Sequence, residues 1–351
     1  AHILGDVGEV SPADVEADDY YQGGDFIGKQ GVERSYEKQL RGVKGVQILL
    51  RDARGRIKGR YQDGRHDTPT IPGKNLTLGL DSALQALGER LMEGKIGGIV
   101  AIEPATGEVL CMVSSPTYDP RLMVGRQRGK NHLRLSRDMM KPLLNRAIMG
   151  QYPPGSTFKI VTALDYFRQK GSLEGYSYLC QGSITVDDHT IQCYNGTVHG
   201  QEDFYSAFAH SCNCAFADMG LGLGGDTLKS TAEDLLFNRA LPLNSYKTSR
   251  FTLDKDSPNA LVMQTSIGQG NTLVSPMHMA LITSAIANDG VLMKPTMIDK
   301  IVNNSGDTVR ETEKTEYKRL MTRNEANILG KLMKNVVENG TASALNGRGY
   351  T

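Results

Sequence analysis

A serine and a lysine three residues apart are the first candidates for chemistry in this sequence. Ser156 and Lys159 follow a Pro-Gly turn that is typical of the start of a helix. On a helix, residues three apart share a face, so the lysine amine can lie beside the serine hydroxyl. Burial favours the neutral amine, which can take the proton of an attacking hydroxyl. The pair predicts a nucleophile, Ser156, and its base, Lys159, although a plain helix N-cap also explains Ser156.

A second polar motif, Ser211-Cys212-Asn213, lies later in the chain. Ser211 and Asn213 interrupt an apolar run of small residues, where polar side chains need partners. Neither motif is specific alone, and the prediction depends on their combination and their order along the chain.

Three further residues are candidates for binding a substrate. Ser266, Gly268 and Gln269 lie in a glycine-rich segment and could line a cleft. A turn between two helices explains the same segment nearly as well. We therefore predict no catalytic role for them.

Predicted helices must position these motifs. In each predicted helix the apolar residues recur at three- and four-residue intervals, and Asp81 is a credible N-cap for the first helix. Two apolar, β-rich runs joined by the turn at residues 104–107 predict a hairpin, and shorter strands are expected around the turn at residues 52–55. The predicted fold class is mixed α/β, of the α+β kind. The helices are expected over residues 81–92, 157–169, 207–221 and 277–288, and the hairpin over residues 98–103 and 108–114.

Composition excludes some classes of function. The 351 residues carry a formal net charge of +1, so no whole-chain field attracts nucleic acid or an anionic membrane. The longest apolar stretches, such as residues 97–102, fall far short of the ~20 residues that cross a bilayer. We expect a folded globular protein with no nucleic-acid partner.

Several side chains of the types that bind zinc lie close in sequence. Residues two apart on a helix point to different faces, so a helix over this region would separate Cys212 from His210 and Cys214. This argument predicts no metal site. The side chains concerned are Cys193, His199, His210, Cys212 and Cys214.

Cys180 and Cys193 flank an alternating segment with a turn at residues 187–188, which predicts two short strands. The two cysteines should therefore lie near each other. A disulfide and a pair of buried thiols fit this pattern equally well.

The order Ser-x-x-Lys, then Ser-x-Asn, resembles the first two motifs of the penicillin-binding protein and serine β-lactamase superfamily. Four further stretches extend the similarity over nearly the whole chain. Together they resemble class B penicillin-binding proteins. The stretches are residues 28–33 (GKQGVE), 36–42 (YEKQLRG), 104–110 (PATGEVL) and 266–270 (SIGQG).

The resemblance implies two domains within a longer natural protein. Residues 1–75 resemble the end of the noncatalytic pedestal or dimerisation domain, a small β-rich remnant, and residues 76–351 resemble the transpeptidase domain. The family's third motif, Lys-Thr/Ser-Gly, is expected beyond Thr351, because residues 339–342 (NGTA) and 347–351 (GRGYT) resemble the lead-in to it. Residues 247–249 (KTS) read as a loop and residues 95–97 (KIG) precede the nucleophile, so neither replaces it. A membrane helix is expected ahead of residue 1, which implies a place on the extracytoplasmic face of the cytoplasmic membrane.

The same resemblance implies a peptidoglycan D,D-transpeptidase that needs no cofactor. Ser156 would attack stem peptides ending in D-Ala-D-Ala, Lys159 would take its proton, Ser211 would relay a proton to the leaving amine, and Asn213 would orient Lys159 and the substrate amide. β-Lactam antibiotics would acylate Ser156, and a glycosyltransferase of the wall-synthesis machinery is the expected protein partner. Two alternatives stay open: a β-lactam-hydrolysing or -sensing relative, and a noncatalytic scaffold in wall synthesis.

Overall fold

A computed structural model of the protein describes residues 1–348, which form two compact units. Both units are discontinuous in sequence, so each is assembled from separate stretches of chain. The first unit contains residues 1–96, 112–144 and 296–313, and the second contains residues 97–111, 145–295 and the chain from residue 314 onward. The domain division expected at residue 75 stays a prediction.

Helices and strands alternate along the described residues, with helices dominating the middle of the chain. The helices are α1 Pro12–Ala17, α2 Gly31–Ser35, α3 Glu37–Leu40, α4 Ser82–Leu91, α5 Arg128–Arg137, α6 Arg146–Met149, α7 Lys159–Lys170, α8 Phe204–Ala209, α9 Asn213–Leu223, α10 Gly225–Asp234, α11 Asn259–Ser266, α12 Pro276–Ala287 and α13 Arg323–Asn339. The strands are β1 Val7–Glu9, β2 Phe26–Gly28, β3 Leu49–Arg51, β4 Ile57–Arg60, β5 Asn75–Leu78, β6 Gly97–Ile102, β7 Val109–Ser115, β8 Ser177–Cys180, β9 Ser183–Val186, β10 His189–Gln192, β11 Gly200–Asp203, β12 Val291–Met293, β13 Ile298–Val302, β14 Thr308–Glu311 and β15 Glu316–Arg319.

The first unit is built from small antiparallel sheets. Strands β1 with β2 and β3 with β4 form two-stranded pairs, and β14, β13 and β5 form a three-stranded sheet in that order. Buried Asp6 pairs with the Arg128 guanidinium of helix α5, which ties the start of the chain to residues far along the sequence. None of the helices within residues 1–348 combines the length and apolar character that crossing a bilayer requires.

The second unit packs helices around α7 and α9, and this packing positions the candidate site. Phe158 at the entry to α7 lies 5.7 Å from Phe237 and 5.8 Å from Phe251, between ring centroids. Phe158, Phe216 and Phe237 are fully buried. Burying large aromatic rings is strongly favourable, so the two helices that carry the motifs are fixed at the centre of the unit.

The mixed α/β class and most predicted elements are confirmed. Asp81 caps helix α4 by accepting from the Ala83 and Leu84 amides, and the predicted hairpin appears as β6 and β7. The single helix expected over residues 207–221 is wrong, because the structure breaks it into α8 and α9. The break lies at residues 210–212, within the Ser-x-Asn motif.

Candidate active site

Ser156 lies in a single 3₁₀ turn, Gly155–Phe158, that leads directly into helix α7. The Gly155 amide donates to the Gly268 carbonyl at 2.9 Å, which fixes the turn by its backbone. Gly155 has a φ of +57°, in the left-handed region that favours glycine. Because Ser156 itself is exposed, its hydroxyl is accessible while its backbone is held.

Lys159 begins helix α7 and is only 2% exposed. Its Nζ donates to the Ser211 carbonyl at 2.6 Å, to Ser211 Oγ at 2.8 Å and to Asn213 Oδ1 at 2.8 Å. The Phe216 ring lies 5.3 Å from Nζ. Three acceptors match the three donors of an ammonium group, so the buried amine is fully satisfied.

Ser211 lies in the break between helices α8 and α9 with a φ of +53°. This left-handed conformation is uncommon for residues other than glycine, and it turns the chain so that α9 can start at Asn213. The Ser211 hydroxyl donates to Ser156 Oγ at 3.0 Å. Since Ser211 Oγ also accepts from Lys159, the hydrogen bonds link Lys159 to Ser156 through Ser211.

Asn213 completes this group of four residues. Its Oδ1 accepts from Lys159, and its Nδ2 donates to the Gln192 carbonyl at 2.9 Å. The second bond fixes which end of the amide faces the lysine. Sequence reasoning missed Gln192, because a backbone carbonyl acts here and carries no side-chain signature. We call Ser156, Lys159, Ser211 and Asn213 the serine–lysine cluster.

Burial lowers the pKa of Lys159 to about 8, and negative charge on the nearby cysteines opposes this shift. Desolvation disfavours the ammonium form, as expected for an amine removed from water. A minor fraction of the amine is therefore neutral near pH 7. The lowered pKa suits a proton acceptor, and the three hydrogen bonds hold the amine beside Ser211.

The three weaker candidates lie along the segment that contacts the Ser156 turn. Ser266 is fully buried and donates to the Val262 carbonyl, so its hydroxyl packs within helix α11 and does not line an open cleft. Gly268 is buried and contacts Gly155 through its backbone. Gln269 is exposed, and its role in substrate binding stays a prediction.

A second group of polarizable side chains lies on the other side of the same break. Cys193 Sγ is 3.7 Å from Cys180 Sγ, 3.7 Å from Cys212 Sγ and 3.4 Å from Cys214 Sγ. His199 Nδ1 is 3.5 Å from Cys180 Sγ. We call these four cysteines and His199 the thiol cluster. Cys180 and Cys193 are close, as predicted, but both are free thiols.

The sequence argument that separated Cys212 from Cys214 is wrong. Cys212 is the N-cap of helix α9 with extended backbone, not a residue inside a helix. Helical spacing therefore does not apply to it, and both sulfurs reach Cys193. His210 lies outside the cluster, because its Nδ1 bonds buried Glu202 at 2.8 Å. Cys180, Cys193, His199 and Cys212 have ligand atoms within 4.8 Å of one another and could hold a metal ion.

The thiols influence one another's ionisation. Hydrogen bonds from the neighbouring thiols hold the pKa of Cys193 well below its usual range. The pKa values of Cys212 and Cys214 are raised, for Cys212 first by its bond to Cys193 and for Cys214 first by burial. Charge in the cluster is therefore concentrated on one sulfur.

Comparisons with known proteins agree with this geometry. The family model of the penicillin binding protein transpeptidase domain matches residues 97–351, and that of the penicillin-binding protein dimerisation domain matches residues 1–78. The chain is 33% identical over 317 residues to the peptidoglycan D,D-transpeptidase MrdA of Acinetobacter baumannii, covering 85% of this chain and 46% of that protein. It is 32% identical over 245 residues to the peptidoglycan D,D-transpeptidase PbpA of Mycolicibacterium smegmatis, covering 68% of this chain and 50% of that protein.

Solved structures show the same fold. The complex of Pseudomonas aeruginosa PBP2 with WCK 5153 matches with a TM-score of 0.79 and 27% identity, covering 98% of this chain and 74% of that one. The penicillin G acyl-enzyme complex of penicillin-binding protein A from Mycobacterium tuberculosis matches with a TM-score of 0.71 and 28% identity, covering 77% and 65%. The chain spans about half the length of the curated relatives it matches.

Proposed function

This chain belongs to the penicillin-binding proteins, with the dimerisation and transpeptidase domains of class B, and we propose that it cross-links peptidoglycan as a serine D,D-transpeptidase. The observation that carries the proposal is the hydrogen-bonded path from exposed Ser156 through Ser211 to buried Lys159. The nucleophile, the relay and the base of the proposed reaction are thus connected by two consecutive hydrogen bonds. The names of the relatives, D,D-transpeptidases, support the same reaction.

In the proposed reaction Ser156 Oγ attacks the carbonyl carbon of the penultimate D-alanine of a stem peptide. The Ser156 proton passes to Ser211 as the Ser211 proton passes to the neutral Lys159 amine. Before this transfer, Ser156 must donate to Ser211 and Ser211 to Lys159, which is opposite to the two hydrogen bonds of the resting arrangement. The transfer then restores the resting directions. The bond to the terminal D-alanine then breaks, and Ser211 returns a proton to the leaving amine.

A second stem peptide completes the transfer. Its amino group attacks the acyl-enzyme carbonyl, forming the new peptide bond and releasing Ser156. Asn213 holds Lys159 in place through Oδ1 and is itself oriented by the Gln192 carbonyl. The backbone amide of Ser156, in the turn that precedes helix α7, would donate to the developing oxyanion.

The wider setting is also part of the proposal. Residues 1–75 would belong to the pedestal or dimerisation domain, which the family match over residues 1–78 supports. The protein would act on the extracytoplasmic face of the cytoplasmic membrane, held by a membrane helix, with a glycosyltransferase of the wall-synthesis machinery as its partner. β-Lactam antibiotics would acylate Ser156, since a strained cyclic amide offers the same carbonyl without a departing amine.

Acylation by benzylpenicillin, followed by intact-protein mass spectrometry, tests the proposal. The measurement uses this chain and a version extended at its C-terminus through the third motif, Lys-Thr/Ser-Gly, that the resemblance leads us to expect. We expect one stable adduct on the extended protein, none in Ser156→Ala, and an unchanged adduct in Ser305→Ala, an exposed serine in the first unit. Without penicillin, the extended protein should release D-alanine from a stem peptide and transfer the remaining acyl group to an amine acceptor.

Two outcomes would contradict the proposal. Rapid turnover of penicillin, with regeneration of free enzyme, would favour a β-lactam-hydrolysing relative. Absence of any adduct on the extended protein would favour a noncatalytic scaffold.

A further inference from the structure

Positive charge is concentrated in and around helix α5 of the first unit. Residues 121–141 hold seven lysines and arginines and one acidic residue, whereas the chain as a whole is nearly neutral. Two of these cations are used within the fold, since Arg121 pairs with Asp119 and Arg128 pairs with buried Asp6. Within residues 1–348, no ion pair engages four of the others, so their charge is available to an outside partner. These four exposed side chains are Arg126, Lys130, Arg134 and Arg137.

This charge is unfavourable for the helix that carries it. The first turn of α5 has no acidic residue, although the positive end of the helix dipole favours acids there. Lys130 and Arg134 are four residues apart, and Arg134 and Arg137 are three apart, so neighbouring like charges repel along one side of the helix. Because the pattern lowers the stability of the helix, we infer that the charge serves a partner outside it.

The fold holds α5 by its opposite side. Leu135 is buried in a small hydrophobic core, and the Asn131 side-chain amide donates to the Leu122 carbonyl at 2.9 Å. The pair between Arg128 and Asp6 adds a link to the start of the chain. On a helix, residues at intervals of three, four and seven share a face, so the cations point away from this core. We call this outer side of α5 the basic face, and its residues are Lys130, Leu133, Arg134 and Arg137.

Apolar side chains are exposed within and beside the basic face. Leu133, which lies between the cations, is 49% exposed, and Met139, two residues past Arg137, is 91% exposed. A methionine almost wholly in water contributes nothing to the packing of the fold. An open depression follows this face, and it does not enclose a pocket for a small ligand. The depression is lined by Lys130, Leu133, Arg134, Arg137 and Asp138.

Cations and exposed apolar side chains together fit the surface of an anionic lipid bilayer. Lysine and arginine attract the anionic headgroups, while leucine and methionine enter the boundary between headgroups and acyl chains. A soluble polymer of carboxylates or phosphates would engage the cations but would gain nothing from burying Leu133 or Met139. An acidic protein segment would need a groove for its own apolar anchors, and an open depression on one helix provides none.

We propose that the basic face, together with Met139, docks the first unit onto an anionic lipid bilayer. The inference rests on the proposed place of the protein at the cytoplasmic membrane. A protein that a membrane helix already tethers needs only weak affinity for the surface, because the tether keeps its effective concentration there high. Docking would hold the first unit at the bilayer, where an undocked unit would move freely at the end of its tether.

Sedimentation with lipid vesicles is the first test. This chain is mixed with vesicles of equimolar phosphatidylglycerol and phosphatidylcholine, and with vesicles of phosphatidylcholine alone. We expect binding to the anionic vesicles only, and its loss in ~1 M salt, where the Debye length is about 3 Å. A lysine or arginine near an anionic leaflet strengthens binding about fivefold. The triple variant Lys130→Glu/Arg134→Glu/Arg137→Glu should therefore bind at least ~100-fold more weakly.

Two further variants separate the contributions of position, net charge and apolar insertion. Lys255→Glu/Lys318→Glu/Lys331→Glu changes the net charge by the same amount, but at three exposed lysines of the second unit. It should bind vesicles nearly as tightly as the unmodified protein. Leu133→Ser/Met139→Ser keeps every charge and should bind roughly tenfold more weakly, because two apolar side chains no longer enter the interface.

Competing anions identify the occupant. The probes are soluble peptidoglycan fragments, for a wall polymer, and poly-L-glutamate, for an acidic protein segment. If either binds more tightly than the anionic vesicles do, and this binding is lost in the triple variant, the occupant is of that class and the bilayer proposal fails.

Three results with vesicles would also overturn the proposal: no binding, equal binding to both kinds of vesicle, or unchanged binding by the triple variant. Thermal unfolding of each variant shows that it is folded. Vesicle binding involves no acylation, so its failure is distinguishable from a failure of the proposed transpeptidase.

Discussion

Ser211, Cys212, Asn213 and Cys214 send alternate side chains into two different clusters. Ser211 and Asn213 bond to Lys159, whereas Cys212 and Cys214 contact Cys193. This four-residue segment therefore contributes side chains to both clusters. The left-handed backbone of Ser211 and the start of helix α9 make this alternation possible, because an uninterrupted helix would not place odd and even residues on opposite sides.

The two clusters differ in how far their side chains are exposed to solvent. The serine–lysine cluster opens at Ser156, which is exposed, while its lysine is buried. The thiol cluster is closed, with His199 as its rim. A nucleophile must meet an outside substrate, whereas thiols with almost no exposed surface are shielded from one. The comparison therefore predicts that acylation takes place at the first cluster, and this prediction can be tested.

The largest expected effect is on the chemistry of the first cluster. Lys159→Met keeps a long buried side chain but removes the amine, so Ser156 loses its proton acceptor. We expect the rate of penicillin acylation to fall by ~10²- to 10⁴-fold, the usual contribution of a general base. Stopped-flow acylation of the variant and of the unmodified protein checks this statement.

Near-normal acylation of Lys159→Met would remove Lys159 from the role of base. Thermal unfolding is needed alongside, because removing the amine leaves Asn213 Oδ1 without its donor.

Sequence alone predicted the first cluster well. Ser156 and Lys159 lie three apart at a helix start, and the order of the two motifs is independent of how the chain folds between them. The conformation of Ser211 could not be predicted, because a non-glycine residue with positive φ carries no marker in sequence. The helix was therefore extended through the motif. The carbonyl of Gln192 was missed for a related reason, since any residue could supply it.

The second cluster is not predictable from sequence. Helical spacing separates Cys212 from Cys214, but that spacing does not apply to an N-cap residue. The pattern around Cys180 indicates only that it lies near Cys193. What unites the cluster is the pairing of β8 with β11 and the return of the β9–β10 hairpin, and pairing partners cannot be read from one sequence. Local patterns predicted the strands, whereas the convergence of their ends required the tertiary structure.

A smaller effect is expected from pH. In the proposed reaction the neutral Lys159 amine is the base, and its pKa is about 8, so protonation removes the base as pH falls through that value. For such a group the neutral fraction rises about tenfold between pH 7 and pH 9. We expect the acylation rate to rise by the same factor.

The Lys159→Met variant is the control for this pH profile. Its residual acylation should be flat between pH 7 and pH 9. A rate that falls over this range, or the same rise in the variant, would assign the ionisation to another group.

The smallest effect on chemistry is expected where the backbone holds Ser156. A Cβ at Gly268 would lie 2.0 Å from the Gly155 carbonyl oxygen, and Gly268 has a φ of +75°. Gly268→Ala must therefore shift the Gly155–Phe158 turn as well as strain its own backbone. Gly270→Ala is a matched control, because its φ is +69° but its Cβ would meet only side chains, the nearest at 3.2 Å.

The positive φ alone should lower the free energy of unfolding of both variants, measured in urea, by about 1–2 kcal/mol. Only Gly268→Ala should lose more than this and acylate severalfold more slowly, since the Ser156 hydroxyl is displaced but not removed. Equal losses in the two variants would mean that the contact between Gly268 and Gly155 does not position the nucleophile.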